Sequence, residues 1–372
     1  MNTTEKQILL VTKTIAIACL ASMLLSWKLW VSTRHFPTSP VFSFFPSLVY
    51  PIDYIVFSIT LIVLSSILFL KNPRKAIIVF LFISVLLALW DLNRWQPWYY
   101  EYALLFFVLS FYNYTTKNSK HQTAIILCFK LMIAAIYFWS GLQKLNPNFI
   151  ADTFPWLMEP ITSELGVDSL YYLKWLGLAF PLIEMSTGIL LVINKVKKIG
   201  AILAIFTHLF ILFVLGPFGH NYNFVVWPWN IFMIFMNWQL FYKSPAITKN
   251  DFRFLNQFYS IKLVLILFVL LPLFNFFNKW DSYLSHNLYS GNTSNGIIHI
   301  SAQVKKKLPS YIQCYVGNDN EIDIKYWCMK ELGVPPYPEK RNYIRVTNTF
   351  YNYSTDSSEI YFEFIPKINV KF

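Results

Sequence analysis

Nine apolar stretches, separated by short polar connections, make up the first three quarters of the chain. They run Ile8 to Val31, Val49 to Leu70, Ala76 to Leu92, Tyr99 to Tyr112, Thr123 to Lys144, Leu170 to Ile193, Ile199 to Leu215, Asn223 to Tyr242 and Leu263 to Phe277. Several reach the ~20 residues that a helix needs to cross a bilayer. The pattern predicts an all-α polytopic membrane bundle of about nine transmembrane helices over residues 1–277. The fourth stretch is short, which predicts tilt or partial burial. The sixth and eighth carry Pro181 and Pro228, and the connection from Asn146 to Asp168 predicts a short surface helix. Beyond Asn278 the pattern changes to alternation, as in Gly296-Ile-Ile-His-Ile-Ser301 and Glu359-Ile-Tyr-Phe-Glu-Phe364. Alternation with period two reads as strand, so residues 278–372 are expected to form a small β-rich domain.

Composition excludes a soluble protein. Charged residues are 13% of the chain and hydrophobic ones 56%, whereas soluble domains carry roughly 25% charged residues. The net charge of +12 is concentrated in the connections after stretches two, four, six and eight, which hold Lys71 to Lys75, Lys117 and Lys120, Lys195 to Lys198, and Lys243 to Lys262. Basic connections lie on the cytoplasmic side. The expected arrangement is a multi-pass protein of a plasma or bacterial inner membrane, its N-terminus cytoplasmic and its tail exterior. The charge therefore describes topology and points to no nucleic acid. Asn2 to Gln7 is polar and the stretch after it is too long for a cleavable signal. Cys19 and Cys128 fall within apolar stretches as packing residues. Cys314 and Cys328, placed outside, are a disulfide candidate. No CxxC spacing suggests a metal.

Two groups of polar residues could carry chemistry. Counted at 1.5 Å per residue, Glu184 and His208 each lie nine residues, roughly 13 Å, from the cytoplasmic ends of their helices. Lys130 falls at a similar level, which makes an intramembrane polar cluster: a hydrogen-bonded structural group, a proton relay or a polar pocket. The second group is exterior. It sets Lys144 with Asp53, Asp91, Arg94 and His220, among Trp95, Trp98, Trp227 and Trp229. That set reads as an aromatic belt with interfacial charges, in which Lys144 snorkels to water. It also reads as a pocket in which a lysine base meets a flat, lipid-soluble ligand such as a quinol. Lys130, Tyr137 and Lys144 share one helical stripe with Ala134 and Gly141, and small residues there admit a close neighbouring helix. Asn146-Pro147 ends that helix.

The segment YFWSGLQKLNPNFI, Tyr137 to Ile150, resembles a motif of the vitamin K-dependent gamma-carboxylases and their bacterial relatives, the horizontally transferred transmembrane (HTTM) family. That motif is an aromatic pair, a small residue, Gly, two variable residues and Lys-Leu-Asp/Asn. Leu288-Tyr-Ser-Gly-Asn292 resembles the LYPGN-like stretch that follows the family's last span. The resemblance implies that Lys144 matches the base proposed to deprotonate vitamin K hydroquinone, with a reduced quinone as cofactor. Tyr137, Ser140, Asp91, Arg94, His220 and Trp98 are then the ligand-pocket candidates. Two other readings stand beside it. One is a non-catalytic or redox-accessory membrane protein of the DoxX/MauE kind that presents its tail to an exterior protein partner. The other is a transporter that uses Lys130, Glu184 and His208 as a relay.

Overall fold

The computed structural model describes residues 3–42, 44–46, 48–115, 118–165 and 170–368. Lys117, Asp168 and the last four residues of the tail fall outside that set, as does the side chain of Glu164. The chain begins with α1 (Thr3–Leu25), a single turn α2 (Trp27–Trp30), α3 (Ile52–Phe69), α4 (Arg74–Trp90) and α5 (Pro97–Ser110). It continues with α6 (Ser119–Gln143), α7 (Phe154–Leu165), α8 (Leu170–Val192), α9 (Lys197–Leu215) and α10 (Trp227–Asn237). A short α11 (Lys249–Leu255) precedes α12 (Tyr259–Leu265), which runs on through π-helical and 3-10 turns to Phe277.

Among the described residues, six helices are long and apolar enough to cross a membrane: α1, α3, α6, α9, the Trp175–Val192 part of α8, and Tyr259–Phe277. The protein is thus a multi-pass membrane protein. The other three predicted spans are also helical but shorter, each for a local reason. Helix α4 has 17 residues and stops at Asp91, whose extended backbone and side chain cap the next turn through Asn93 N. Helix α5, with 14 residues, opens at Pro97 and is buried along most of its length, as its shortness predicts. Helix α10 follows a 3-10 turn entered from Asn223 in the left-handed region and passes into a π-helical turn after 11 residues.

Helix α6 is the axis. Its most apolar window is 72% buried, against 28–50% for the other five candidate spans. The small-residue stripe explains how α8 lies so close to it. A Cβ on Gly141 would fall 2.4 Å from Met185 N and 2.6 Å from Pro181 O, and one on Gly188 would fall 2.5 Å from Ala134 O. Only hydrogen fits between these two backbones.

The C-terminal region corrects the β-rich expectation. Its sheet has three antiparallel strands in the order β2 (Glu321–Asp323), β1 (Asn295–Ile300), β3 (Ile360–Ile365), with Ile298 opposite both Ile322 and Phe362. Between the strands lie four helices, α13 (Ala302–Lys307), α14 (Ser310–Gln313), α15 (Ile324–Leu332) and α16 (Lys340–Asn348). Side-chain caps start two of them: Ser301 accepts from Val304 N, and Asp323 from Lys325 N and Tyr326 N. The disulfide candidate is corrected too, because both thiols are free. Cys328 is buried on α15, whereas Cys314 is exposed and donates to Tyr311 O. The region is also docked on the bundle. Gln96 donates to Pro335 O, Asn342 to Asn93 Oδ1, and Arg345 to Val41 O, while Trp327 packs edge-on against Phe36.

Candidate functional site

Lys144 sits at the C-terminal cap of α6, where Asn146 turns the chain. The Asn146 amide donates to Gln143 O and to Ser290 O, and its oxygen accepts from Phe149 N. Asn148 donates to Gly291 O. Gly291 has φ +70°, and a Cβ there would fall 2.5 Å from Thr153 Oγ1 and 2.9 Å from Phe149 N. Only glycine meets both demands. The two stretches that carry the family resemblance therefore touch, one clamping the turn of the other.

The clamp holds Lys144 inside the bundle. Its Nζ donates to Glu184 Oε2 at 2.6 Å and to Ser140 Oγ, one turn back, at 2.6 Å. Both ion-pair side chains are more than 90% buried. Two charges taken out of water together need such geometry, since either one alone would be uncompensated.

Around the pair lies a cavity of about 120 Å³, lined by Trp98, Glu101, Tyr137, Ser140, Lys144, Glu184, His208, Asn230 and His286, with Phe180, Trp229 and Leu288 as apolar walls. An apolar cavity of about 150 Å³ holds one benzene, so this one suits a single ring or a few waters. Each polar group is fixed from behind. His208 Nδ1 meets Asn230 Oδ1 at 2.7 Å, and Asn230 Nδ2 is committed to Val226 O. The amide oxygen therefore faces the ring, so Nδ1 carries the proton. His208 Nε2, the other ring nitrogen, has no partner. His286 repeats the arrangement: Nδ1 lies 2.8 Å from Glu101 Oε1 and Nε2 is unpartnered. The Trp98 indole N–H is also buried and unpartnered. The Tyr137 hydroxyl accepts from Asn237, and its ring stands edge-on to His208. One buried chamber thus holds a lysine, two carboxylates and two imidazoles, a set suited to moving protons.

The predicted groups are rearranged. Lys144 leaves the exterior group and pairs with Glu184, beside His208, Tyr137, Ser140 and Trp98. Counting by backbone position separates the two levels, but the Lys144 side chain reaches one turn back to Ser140, and α8 passes that part of α6 at Pro181 and Met185, beside Gly141. Glu184 therefore comes within reach of Lys144 Nζ. Lys130 leaves the intramembrane cluster. Its stem carries Nζ to Pro245 O at 3.4 Å, a carbonyl that also accepts from Lys197.

The rest of the exterior group disperses into structural roles. Asp91 pairs with Arg34 and accepts from Ser39 N. Arg94 donates to the carbonyls of Leu29, Trp30 and Leu87. Asp53 accepts from Ser32 N at 2.5 Å. His220 binds Trp156 O and stacks on that indole. These four do not line the chamber.

Sequence reasoning missed Glu101, His286, Asn230 and Asn237. Glu101, a carboxylate within an apolar stretch, was a legible signal. His286 had none, because only the docking of the C-terminal region brings it in. Among the described residues no group of three His, Cys, Asp or Glu side chains is placed to hold a metal. Set against models of known protein families, characterised proteins and solved structures, the chain matches none.

Proposed function

We propose that this is a gamma-carboxylase-like integral membrane enzyme that takes a lipid-soluble, quinol-type ligand, with Lys144 as its base. The observation that carries the reading is the cavity in which the Lys144–Glu184 pair faces two imidazoles with open Nε2 atoms between aromatic walls. The fit is reasonable: the cavity takes one ring, and three buried polar atoms, on His208, His286 and Trp98, lack partners that a hydroxyl or oxo group would supply. A reduced quinone, when bound, supplies an ionisable phenol and two electrons. The Lys144 ammonium passes a proton to Glu184 and the amine so freed takes the phenolic proton, which leaves Glu184 neutral and the ammonium facing the ligand's negative charge, so that no lone charge is left in the bundle. The ammonium and the Ser140 hydroxyl lie where negative charge would develop. His208 or His286 serves a second oxygen through Nε2. Trp98, Tyr137 and Trp229 hold the ring in place and exclude water. On the charge distribution, we place the C-terminal region outside and the N-terminus in the cytoplasm.

The test uses full-length protein in lipid nanodiscs and a reduced short-chain benzoquinone, with binding followed by tryptophan fluorescence and turnover by loss of the quinol spectrum. Lys144→Ala is expected to abolish both. A Lys144→Ala protein that binds and reacts like the wild type would sink the proposal. It would favour a protein that presents its C-terminal region to an exterior partner.

A further inference from the structure

Two clefts meet at Trp280. The first is an apolar groove of about 400 Å³ between α4, α5 and the last apolar helix, walled by Leu81, Ala103, Phe107 and Phe268. Between Leu81 and Leu89 it follows α4 for roughly 12 Å, at 1.5 Å per residue. Arg94, Trp95 and Trp280 stand at its C-terminal-domain end. The second cleft, about 510 Å³, lies in the C-terminal region and is lined by Lys279, Asp281, Glu339, Lys340, Lys367 and again Trp280. Its carboxylates are engaged: Asp281 with Arg341 and the Tyr337 hydroxyl, Glu339 with Ser282 N. Of its lysines, Lys367 gives one bond to Asn275 O and the other two are more available. Lys279 and Lys340 are exposed, and Lys340 rides 5.5 Å over the Phe364 ring. With Arg341 counted, four cations face two carboxylates.

An apolar slot at membrane depth that opens into a basic pocket just beyond it is complementary to one kind of molecule. We propose that this composite site holds one anionic glycerophospholipid from the surrounding bilayer, an acyl chain in the groove and the phosphate among Lys279, Lys340 and Lys367. The acyl chain gains no hydrophobic free energy by leaving other lipid chains. Selectivity therefore rests on the headgroup, where each cation near a lipid surface contributes about fivefold in affinity. The inference does not depend on the proposed chemistry of the chamber.

Native mass spectrometry of the full-length protein, released from micelles with dioleoyl phosphatidylglycerol or dioleoyl phosphatidylcholine, reads the site directly. The wild type is expected to keep one phosphatidylglycerol at least about 25-fold better than phosphatidylcholine. Lys279→Gln with Lys340→Gln, at exposed positions that carry no part of the core, is expected to weaken phosphatidylglycerol retention about 25-fold and leave phosphatidylcholine unchanged. Ala103→Phe, which fills the groove and keeps every lysine, is expected to lower phosphatidylglycerol retention as well. Millimolar glycerol 3-phosphate should not displace the adduct, since it has no chain to seat. Equal retention of the two lipids by the wild type, or undiminished phosphatidylglycerol retention in either variant, would overturn the proposal. Displacement by glycerol 3-phosphate would also overturn it, by assigning the cleft to a soluble anion.

Discussion

The Lys144–Glu184 pair makes a stability prediction that can be separated from chemistry. Both side chains are more than 90% buried and meet at 2.6 Å. Removing one partner of a buried pair leaves an uncompensated charge and costs about 3–5 kcal/mol, whereas replacing both by apolar residues of similar volume is often neutral or stabilising. Lys144→Met and Glu184→Leu should therefore each be strongly destabilising, while the double variant should lie within about 1–2 kcal/mol of the wild type. The non-additivity expected is several kcal/mol, well above the ~0.5 kcal/mol seen for independent sites. At about 2–4 °C per kcal/mol for chains of 150–250 residues, each single variant should melt at least roughly 6 °C lower. Thermal unfolding of the four proteins in one detergent, followed by circular dichroism, gives the cycle. A double variant as unstable as the sum of the singles would refute the reasoning, because it would mean that each charge finds water separately. The double variant serves a second purpose. It is expected to fold yet to be silent in the benzoquinol assay, so loss of chemistry cannot be put down to loss of structure.

Other expectations follow from particular contacts. Gly141→Ala places a methyl 2.4 Å from the Met185 backbone, so it should cost about 1–3 kcal/mol by overpacking. Gly177→Ala, whose nearest neighbour is a Phe154 ring carbon at 3.2 Å, should melt close to the wild type in the same thermal assay. Cys314 should react with a membrane-impermeant maleimide added to intact cells, whereas Cys328 should react only after unfolding; protection of Cys314 until the cells are permeabilised would place the C-terminal region on the cytoplasmic side. Residues 278–372 expressed alone should lack a fixed tertiary structure by near-ultraviolet circular dichroism, because Trp327 would lose Phe36, and Asn342 and Pro335 their bundle partners.

What could be read from the chain followed the range of the interactions responsible. Membrane helices announce themselves through uninterrupted apolar runs, and the close approach of α8 to α6 was visible in the spacing of Ala134 and Gly141, because both are local patterns. Strands β1 and β3 were legible by alternation. The four helices of the C-terminal region were not, since they are short and polar and begin at caps such as Ser301 and Asp323 rather than at an apolar period. The candidate site was half legible. Lys144, Tyr137 and Ser140 lie on one helix and one motif, so they were found together. Glu184 and His208 stand out as polar residues in apolar helices but fall at a different level by counting, because the count places Lys144 by its backbone, whereas its side chain reaches one turn back to Ser140.

His286 shows why the C-terminal region is not simply cargo on a membrane anchor. It stands in the left-handed region at φ 58°, just past a 3-10 turn, a conformation that the surrounding packing has to hold in place for a non-glycine residue. That turn is fixed by Ser282 N on Glu339 and by the Tyr100 hydroxyl on Tyr283 O. Glu101, for its part, lies inside an apolar helix and has His286 as its partner across the chamber wall. Neither the bundle nor the C-terminal region has a complete chamber by itself: one supplies the carboxylate, the other the imidazole that meets it. The same interlock recurs where Gly291 seats on Asn148 and Phe149. Two independent contacts thus tie the segment after the last span to the turn that carries Lys144. The position of the lysine is therefore set by residues about 145 apart in sequence, as in the bond from Asn146 to Ser290, and a change in how the C-terminal region docks would be felt first at the ion pair.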